Sequence, residues 1–373
     1  MQEVVFAGSK PYTLGVELEF QILDQQTLDL VPKAPALLSK VPLTVSDRVT
    51  PEFIRSILEV QTGVCASVSE VADDLRHSIT LLEAIAADHN CLLYSASLHP
   101  FAEPVDQVLS VGDRYERILE ELQLVGRQFI SQGLHVHVGI PDREAAIAVC
   151  DVLQIYLPLL LGLSCSSPYF RGEDTGLCSY RTKLFEALPL AGIAGYLGSW
   201  QAYLDEIDLL RRTGVIRETK DLWWDIRPSP GFGTVEIRIC DLPARFIEVL
   251  GLTSIMQAFA AAVVEGMVMP LPVSPQLLCA NKWQAARHGL DGRFYDPLGL
   301  LPTETQSVRQ AVYELLQLLQ PFFKRFDNRG LESIHGLLAG DISAERQRRL
   351  MKDHGSFTTM ITNLQSMYWN DTL

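Results

Sequence analysis

The sequence predicts an α+β fold in which helices pack against one side of an antiparallel or mixed sheet. Short segments with alternating apolar and polar residues indicate strands, and longer segments with apolar residues at helical spacing indicate helices. These segments do not follow a strict β–α–β order, which disfavours a parallel sheet. The 373 residues contain no internal repeat, low-complexity tract or long linker, so we expect one domain over residues 1–373.

The expected strands and helices follow from residue periodicity and from capping signals. Ser67 and Glu70, for example, form a capping box at the start of a helix. Strands are predicted at Tyr12–Leu23, Leu92–Ser97, Leu134–Ile140, Leu222–Arg227 and Thr234–Asp241. Helices are predicted at Ser67–Asn90, Asp113–Ile130, Pro141–Leu163, Gly195–Thr213, Arg245–Met269 and Thr303–Phe326, and two more between Ser343 and Trp369, separated at Gly355.

Composition narrows the class of protein. The net charge of −14 argues against binding to nucleic acid, whose phosphates recruit basic residues. The most apolar segments, Leu153–Leu163 and Ala258–Met269, are shorter than the roughly 20 residues that a membrane span needs, so we interpret them as core helices. Met1–Lys10 lacks the pattern of a secretory signal. Seven widely spaced cysteines without a C-x-x-C motif indicate neither a disulfide framework nor a zinc knuckle, and we expect a cytoplasmic protein.

Three predicted strands carry ionisable side chains on one face and apolar side chains on the other. Residues two apart in a strand share a face. The ionisable faces carry Glu17 and Glu19, His135 and His137, and Glu236 and Arg238. Each strand alone is also typical of a half-exposed antiparallel strand. If the three strands pair in one sheet, however, these side chains meet on one face.

A cluster of carboxylates is favoured when it holds a cation, because glutamates a few ångströms apart repel one another. Oxygen-rich sites with few nitrogen ligands suit Mg²⁺ or Mn²⁺ better than Zn²⁺. Arg238, beside the third glutamate, is suited to phosphate oxygens. Spacing does not choose between His135 and His137 as a ligand, since both lie on the same face.

Several motifs, in order along nearly the whole chain, resemble the glutamate–cysteine ligase type 2, or carboxylate–amine ligase, family. They are Gly15-Val-Glu-Leu-Glu-Phe20, Glu59-Val-Gln-Thr-Gly-Val-Cys65, His135-Val-His-Val-Gly139, Ser167-Pro-Tyr-Phe-Arg-Gly-Glu-Asp-Thr-Gly176, Ser179-Tyr-Arg181, Trp223-Trp-Asp-Ile-Arg-Pro-Ser-Pro230, Thr234-Val-Glu-Ile-Arg238, Asn281-Lys-Trp283, Ala285-Ala-Arg-His-Gly-Leu-Asp291 and Arg346-Gln-Arg-Arg349. One departure is Leu18, where the family often has a third consecutive glutamate; we expect it to point into the core.

The resemblance implies a single catalytic domain with a glutamine-synthetase-like fold, in which a curved antiparallel sheet forms a funnel and helices pack on its outer face. It implies ATP and two or three Mg²⁺ ions on the concave face. The metal ligands it implies are Glu17, Glu19, Glu59, His137 and Glu236. It also places Arg238 against phosphate, and it is the sole support for Glu59.

Neither a P-loop nor a dinucleotide-binding glycine motif is present, so ATP has to be held in another way. Gly231 and Gly233 could let the backbone approach the nucleotide, or could form a plain hairpin turn. The polar loop Ser164–Lys183 gathers Arg171, Arg181 and Lys183. Given the resemblance, we assign Arg171 and Arg181 to an amino-acid carboxylate or to phosphates, and Lys183 to the nucleotide.

The expected reaction joins a carboxylate to an amine through an acyl phosphate, with glutamate as the acid and cysteine or another small amine as the acceptor. Two alternatives keep the same residues: another ATP-dependent ligation or phosphoryl transfer to a small acid, and a ligase-like protein that binds nucleotide with little turnover. We expect small-molecule amino-acid substrates, and the family resemblance suggests a homodimer.

Overall fold

The computed structural model describes residues 4–370, apart from the side chain of residue 114. The first three residues of Met1–Lys10, the segment predicted to lack a secretory signal, lie outside the described residues. The strands are β1 (Leu14–Asp24), β2 (Val49–Pro51), β3 (Ile57–Gln61), β4 (Cys91–Tyr94), β5 (Leu134–Gly139), β6 (Tyr169–Phe170), β7 (Glu173–Asp174), β8 (Ile226–Ser229), β9 (Thr234–Ile237), β10 (Arg293–Tyr295) and β11 (Thr305–Ser307).

Helices account for most of the remaining regular structure. They are α1 (Ala34–Leu38), α2 (Val68–Asp88), α3 (Asp113–Leu122), α4 (Leu124–Arg127), α5 (Arg143–Ser164), α6 (Arg181–Glu186), α7 (Trp200–Arg212), α8 (Phe246–Val264), α9 (Pro275–His288), α10 (Val308–Leu318), α11 (Gln320–Arg325), α12 (Leu331–Ala339), α13 (Ser343–His354) and α14 (Phe357–Met367). Short 3₁₀ turns lie at Pro104–Asp106, Thr219–Asp221 and Gly289–Asp291.

A seven-stranded sheet organises the fold. Its strands run in the order β2-β3-β1-β5-β9-β8, with β4 also paired to β1, and all of these pairs are antiparallel. Of the two arrangements the sequence left open, this sheet is therefore antiparallel. Two-stranded sheets, β10-β11 and β6-β7, lie apart from it.

One face of the large sheet belongs to the hydrophobic core. Val16 and Leu18 on β1, Val136 on β5 and Ile237 on β9 are each 0% exposed, and they pack in one cluster with residues of α2, α5 and α8. Since side chains alternate along a strand, burying these residues directs their neighbours to the opposite face. The expectation that Leu18 points into the core is confirmed.

Helices α5 and α8 lie in this core. Within the described residues, these two helices are long and apolar enough to cross a membrane, yet 94% and 89% of their most apolar stretches are buried inside the protein. The interpretation as core helices is confirmed for Leu153–Leu163 and for the first part of Ala258–Met269, but it was wrong beyond Val264, where α8 ends and Met269 is 71% exposed. Such a helix is hydrophobic on all sides because protein surrounds it.

Several predicted boundaries were wrong. The predicted helix Asp113–Ile130 is interrupted at Gln123, whose backbone is left-handed at φ 50°. The predicted helix Thr303–Phe326 starts as strand β11, begins its helix only at Val308, and starts a second helix at Gln320. Pro321 at the first turn of α11 accounts for the second break, since proline cannot donate the hydrogen bond that would continue α10.

Candidate active site

The predicted strands do meet, and β1 lies at the centre of the arrangement. Their registers place Glu17 opposite His135, Glu19 opposite Glu59, and His137 opposite Glu236. All of these side chains lie on the face opposite the core. Antiparallel pairing brings directly opposite side chains to within about 5 Å at Cβ, which is close enough to share an ion.

Glu17 lies between the two histidines. Its carboxylate oxygens are 3.2 Å from His135 Nδ1 and 3.3 Å from His137 Nε2. His137 Nε2 is also 3.9 Å from Glu236, while His137 Nδ1 is 2.9 Å from the hydroxyl of Thr234. Both histidines therefore contact the acidic cluster, and the choice between them stays a prediction.

A second group of acids lies beside the first. Glu19, Glu52 and Glu59 each offer a carboxylate oxygen within 4.8 Å of the others. Glu19 accepts a hydrogen bond of 2.6 Å from the backbone N–H of Gly133, and Glu59 accepts one of 3.0 Å from Thr50. The carboxylates are thus held in place by neighbouring donors.

The pKa values of these three acids reflect their crowding. Burial raises the pKa of Glu19 to about 7, and the charge of Glu59 adds to the shift against opposing arginines. Burial also raises the pKa of Glu52 to about 7, with the charge of Glu19 adding. The pKa of Glu59 lies well above its usual range because of burial, followed by the charges of Glu17 and Glu52. Acids in this state gain from a cation that offsets their charge.

Glu17 and Glu236 behave differently, because cationic or donor groups adjoin them. Burial alone would raise the pKa of Glu17, but hydrogen bonds with His135 and His137 outweigh it and hold the pKa low. Arg238 and then Arg227 outweigh burial at Glu236 and lower its pKa well below the usual range. The pKa of His135 falls to about 4 because of burial and then Arg238, which favours the neutral, ligand-competent imidazole.

Two arginines donate hydrogen bonds to the carboxylate of Glu236. Arg227, on the neighbouring strand, makes hydrogen bonds of 2.9 and 3.2 Å to its two oxygens, and Arg238 donates to the same carboxylate. Arg227 is also fixed by the carbonyl of Leu222, at 2.6 Å. The arrangement holds two guanidinium groups at the edge of the acidic face.

Arg181, at the start of α6, is the third arginine of the site. Its guanidinium donates to the carbonyls of Ile239 and Arg238, at 3.1 and 3.3 Å. Behind it lies Asp241, which is 0% exposed. Asp241 accepts a 2.7 Å hydrogen bond from the hydroxyl of Ser167, which in turn accepts one from the backbone N–H of Arg181 at 3.1 Å.

These groups line one cavity of ≈ 430 Å³, within the range typical of small-molecule sites. Its walls carry the acids and histidines of the sheet together with Arg181, Arg227 and Arg238. Apolar and aromatic side chains from β2, α3, α4 and α6 or the segments next to them form the remaining wall. The cavity thus combines concentrated charge of both signs with an apolar side.

A model of glutamate–cysteine ligase family 2 matches residues 13–300 of this chain. A Gloeobacter violaceus protein provisionally named glutamate–cysteine ligase 2 is 36% identical over 373 residues, covering 97% of this chain and 98% of that protein. The chain belongs to the glutamate–cysteine ligase family 2. A similarly named protein of Thermobifida fusca is also 36% identical, covering 97% of this chain and 92% of that protein.

Solved structures share the fold of this family member. A glutamate–cysteine ligase from Francisella tularensis, in complex with AMP, matches with a TM-score of 0.69 at 13% identity, covering 98% of this chain and 91% of that one. A bifunctional glutathione synthetase from Pasteurella multocida matches with a TM-score of 0.70 at 15% identity, covering 96% of this chain and 52% of that one. The predicted α+β ligase fold is confirmed, and family membership confirms an ATP-dependent carboxylate–amine ligase.

The side chains of this ligase fit divalent cations. Three groups, each with ligand atoms within 4.8 Å of one another, are formed by Glu17 with Glu59 and His135, by Glu17 with His137 and Glu236, and by Glu19 with Glu52 and Glu59. Carboxylate oxygens dominate all three, which suits a hard cation such as Mg²⁺. The raised pKa values of Glu19 and Glu59 also indicate acids that are short of positive charge.

Other residues assigned from the sequence lie outside the cavity lining. Arg171 is on the surface, where its Nε is 2.8 Å from Glu103. Lys183 forms an ion pair with Glu186 at 2.6 Å. Their assignments stay untested predictions, which these positions do not support.

The two assigned glycines lie in the turn between β8 and β9, and the residue between them, Phe232, lines the cavity instead. Gly233 has φ +65°, and a Cβ there would collide with the backbone of Gly8 and Ser9. That close approach accounts for glycine at this position. Binding of nucleotide by the backbone of Gly231 and Gly233 therefore stays a prediction without support from the cavity.

Among the charged residues that line the cavity, sequence reasoning missed Glu52 and Arg227. Glu52 follows β2 without any alternating pattern, and its place beside Glu59 depends on the β2–β3 hairpin. Arg227 was left unassigned within a quoted motif, although it lies directly opposite Glu236. A detectable signal existed for Glu59: Leu58 and Val60 are apolar on either side of it, the pattern of a half-buried strand.

Proposed function

We propose that this cavity is where the ligase transfers the γ-phosphoryl group of ATP to the side-chain carboxylate of glutamate, after which an amine attacks the acyl phosphate. The observation that carries the proposal is the convergence of five glutamates, two histidines and three arginines on one cavity. Phosphoryl transfer needs positioning and charge neutralisation above all, and this set of side chains supplies both.

Mg²⁺ is the proposed metal, with Mn²⁺ as a substitute. When bound, such ions bridge phosphate oxygens and offset their charge. Glu17, Glu19, Glu59, His137 and Glu236 are the proposed ligands, and Glu52 joins them because it completes the second acidic group. His137 has support beyond resemblance: Thr234 holds its Nδ1 side, which is how ligating histidines are commonly oriented.

The three arginines of the cavity are proposed to bind the anionic groups of the substrates. Arg227 and Arg238 lie at the Glu236 side and are proposed to bind phosphate oxygens, which guanidinium groups take in pairs. Arg181 lies beside Glu19 and is proposed to bind the carboxylate of an amino-acid substrate. Each guanidinium is held by protein oxygens before substrate arrives, so little ordering is left to be done on binding.

The organisation that we propose is a single catalytic domain acting on small-molecule substrates in the cytoplasm as a homodimer. The larger of two hydrophobic clusters draws residues from Leu14 to Tyr368, and this supports the single domain. The homodimer rests on family resemblance, and size-exclusion chromatography with light scattering measures it directly.

The test is a coupled assay of the purified protein with ATP, Mg²⁺ and glutamate over a panel of amines, with phosphate release and the amide product measured together. We expect product and phosphate in equal amounts. Glu59→Gln and Glu236→Gln should each lower kcat/KM for ATP by at least about 100-fold, since even partners of metal ligands typically contribute 10–100-fold. Glu332→Gln, an exposed glutamate of α12, is the matched control. Full activity in both site variants would refute the metal assignment, and phosphate release without product would favour the nucleotide-binding alternative.

A further inference from the structure

Four aromatic side chains from distant parts of the chain line one side of the cavity. Phe53 follows β2, Tyr115 lies on α3, Phe129 follows α4 and Phe185 lies on α6. We call these four residues the aromatic wall. Their rings form a continuous series of contacts, with centroid distances of 5.9 Å from Phe53 to Tyr115, 6.5 Å from Phe53 to Phe129 and 5.6 Å from Phe129 to Phe185.

Aliphatic side chains extend the aromatic wall. Ile118 and Leu122 of α3 and Leu188 after α6 line the same cavity. The helix is interrupted at Gln123, between Leu122 and the segment that carries Phe129, and both residues line the cavity. An apolar wall of this extent excludes water and favours an apolar group on the ligand.

The aromatic wall adjoins both the acids and an arginine. The backbone N–H of Phe53 donates to Glu52 at 3.1 Å, so the wall begins next to the group formed by Glu19, Glu52 and Glu59. The guanidinium of Arg181, whose charge also acts on Glu19, lies 5.5 Å from the ring centroid of Phe185. A ligand held on the aromatic wall would therefore lie close to an acidic group and to a guanidinium as well as to the apolar surface.

Arg181 is equipped to bind an anion at this place. It is 3% exposed, and two backbone carbonyls fix its terminal nitrogens. Its Nε has no hydrogen-bond partner among the described residues, so a buried donor remains for a ligand oxygen. Buried donors are normally satisfied, which makes an unsatisfied one in a cavity an indication of a missing partner.

The nucleotide phosphates have a better place beside Glu236. Arg227 and Arg238 lie there on either side of Glu236, and Phe232 contacts His137 with a centroid distance of 5.8 Å. Two guanidinium groups suit a triphosphate better than one does. We therefore assign the part of the cavity that carries the aromatic wall and Arg181 to an amino acid.

We propose that the amine acceptor of this ligase is an α-amino acid with a large apolar or aromatic side chain, which packs on the aromatic wall while Arg181 binds its carboxylate. Cysteine, with one small thiol, would leave most of this wall uncovered. The inference rests on the proposed function, because it assigns an occupant to the same cavity.

The test compares acceptors in the ligation assay with ATP, Mg²⁺ and glutamate held constant. We expect kcat/KM for phenylalanine or leucine to exceed that for cysteine or alanine by at least about tenfold, since each methylene in an apolar pocket contributes roughly 10–200-fold discrimination. An equal or higher value for cysteine overturns this inference and leaves the proposed ligase intact. Absence of ligation with every acceptor, by contrast, refutes the proposed function itself.

Substitutions in the aromatic wall test whether these four residues cause the preference for apolar acceptors. Phe129→Ala and Phe185→Ala should lower the ratio of kcat/KM for phenylalanine over alanine by about tenfold, while the KM for ATP is unchanged. Phe129→Leu should retain most of the ratio, and Tyr313→Ala, an exposed aromatic of α10, is the matched control. The ratio is taken within one preparation, so a partly unfolded variant does not distort it. A raised KM for ATP with an unchanged ratio would mean that the wall binds adenine, and would overturn the inference.

Discussion

Glu19 allows a test of whether the acidic face is built for a cation at the expense of stability. In the metal-free protein, burial raises its pKa from 4.5 to about 7. An acid with a raised pKa keeps its proton longer when folded than when unfolded. Stability is therefore lost as pH rises from about 4.5 to about 7, where the unfolded chain releases the proton and the folded chain holds it. At about 1.4 kcal/mol per pKa unit, Glu19 costs about 3 kcal/mol at pH 8.

The perturbation is Glu19→Gln, which keeps the shape and can still accept the hydrogen bond from Gly133. The amide never ionises, so the metal-free variant should gain about 2–3 kcal/mol over the wild type at pH 8 and almost nothing at pH 4.5. Addition of Mg²⁺ should reverse the order at pH 8, because an ion that binds the folded state stabilises it by mass action and the variant has lost a ligand.

The assay is urea unfolding followed by tryptophan fluorescence, with EDTA or Mg²⁺, at pH 4.5 and pH 8. Glu332→Gln, on the exposed side of α12, controls for the substitution itself. A difference between wild type and Glu19→Gln that does not change with pH would refute the reasoning. Equal stabilisation of both proteins by Mg²⁺ would exclude Glu19 as a ligand.

Three further substitutions test how the cavity is supported, each by urea unfolding. Asp241→Asn should lower the free energy of unfolding by about 1–3 kcal/mol, because the amide cannot accept from all the donors around it. The substitution should also raise the KM of the amino acid that Arg181 binds. An unchanged KM would contradict the idea that Asp241 positions Arg181. Lys282→Met should lower the free energy of unfolding by about 3–5 kcal/mol, because the buried carboxylate of Asp225, 2.5 Å from the ammonium, loses its partner. A loss below about 1 kcal/mol would argue against that ion pair. Gly233→Ala should cost more than about 1 kcal/mol, because an alanine is strained at φ +65° and its Cβ meets the backbone of another segment; wild-type stability would contradict this.

The faces of the central strands were predictable because strand periodicity is local. Alternation along Gly15–Phe20 assigned Val16 and Leu18 to the core and Glu17 and Glu19 to the other face, and the structure has them so. Capping signals, which are equally local, placed the start of α2 and the break at Gly355. Such patterns are visible in the sequence because each involves residues that are close together along the chain.

Contacts that depend on distant segments were not predictable in this way. Asp113–Ile130 has the apolar spacing of one helix, yet the chain turns at Gln123 and Phe129 packs against Phe53 and Phe185 instead. Arg171 and Arg181 share one polar loop in the sequence, but the first faces solvent beside Glu103 and the second is buried in the cavity. Both arginines lie in the same polar sequence context, so the difference between their positions follows only from how the loop packs in the folded protein.

The sequence by itself determined the family, the ligase chemistry and which face of each central strand carries the charged groups. Tertiary structure decided which charged groups meet: the β2–β3 hairpin brings Glu52 to Glu59, and antiparallel registers bring Glu17 to His135 and Arg227 to Glu236. Alternation fixes the direction of a side chain relative to its own strand, whereas its neighbours across the sheet depend on the order and register of strands far apart in the chain.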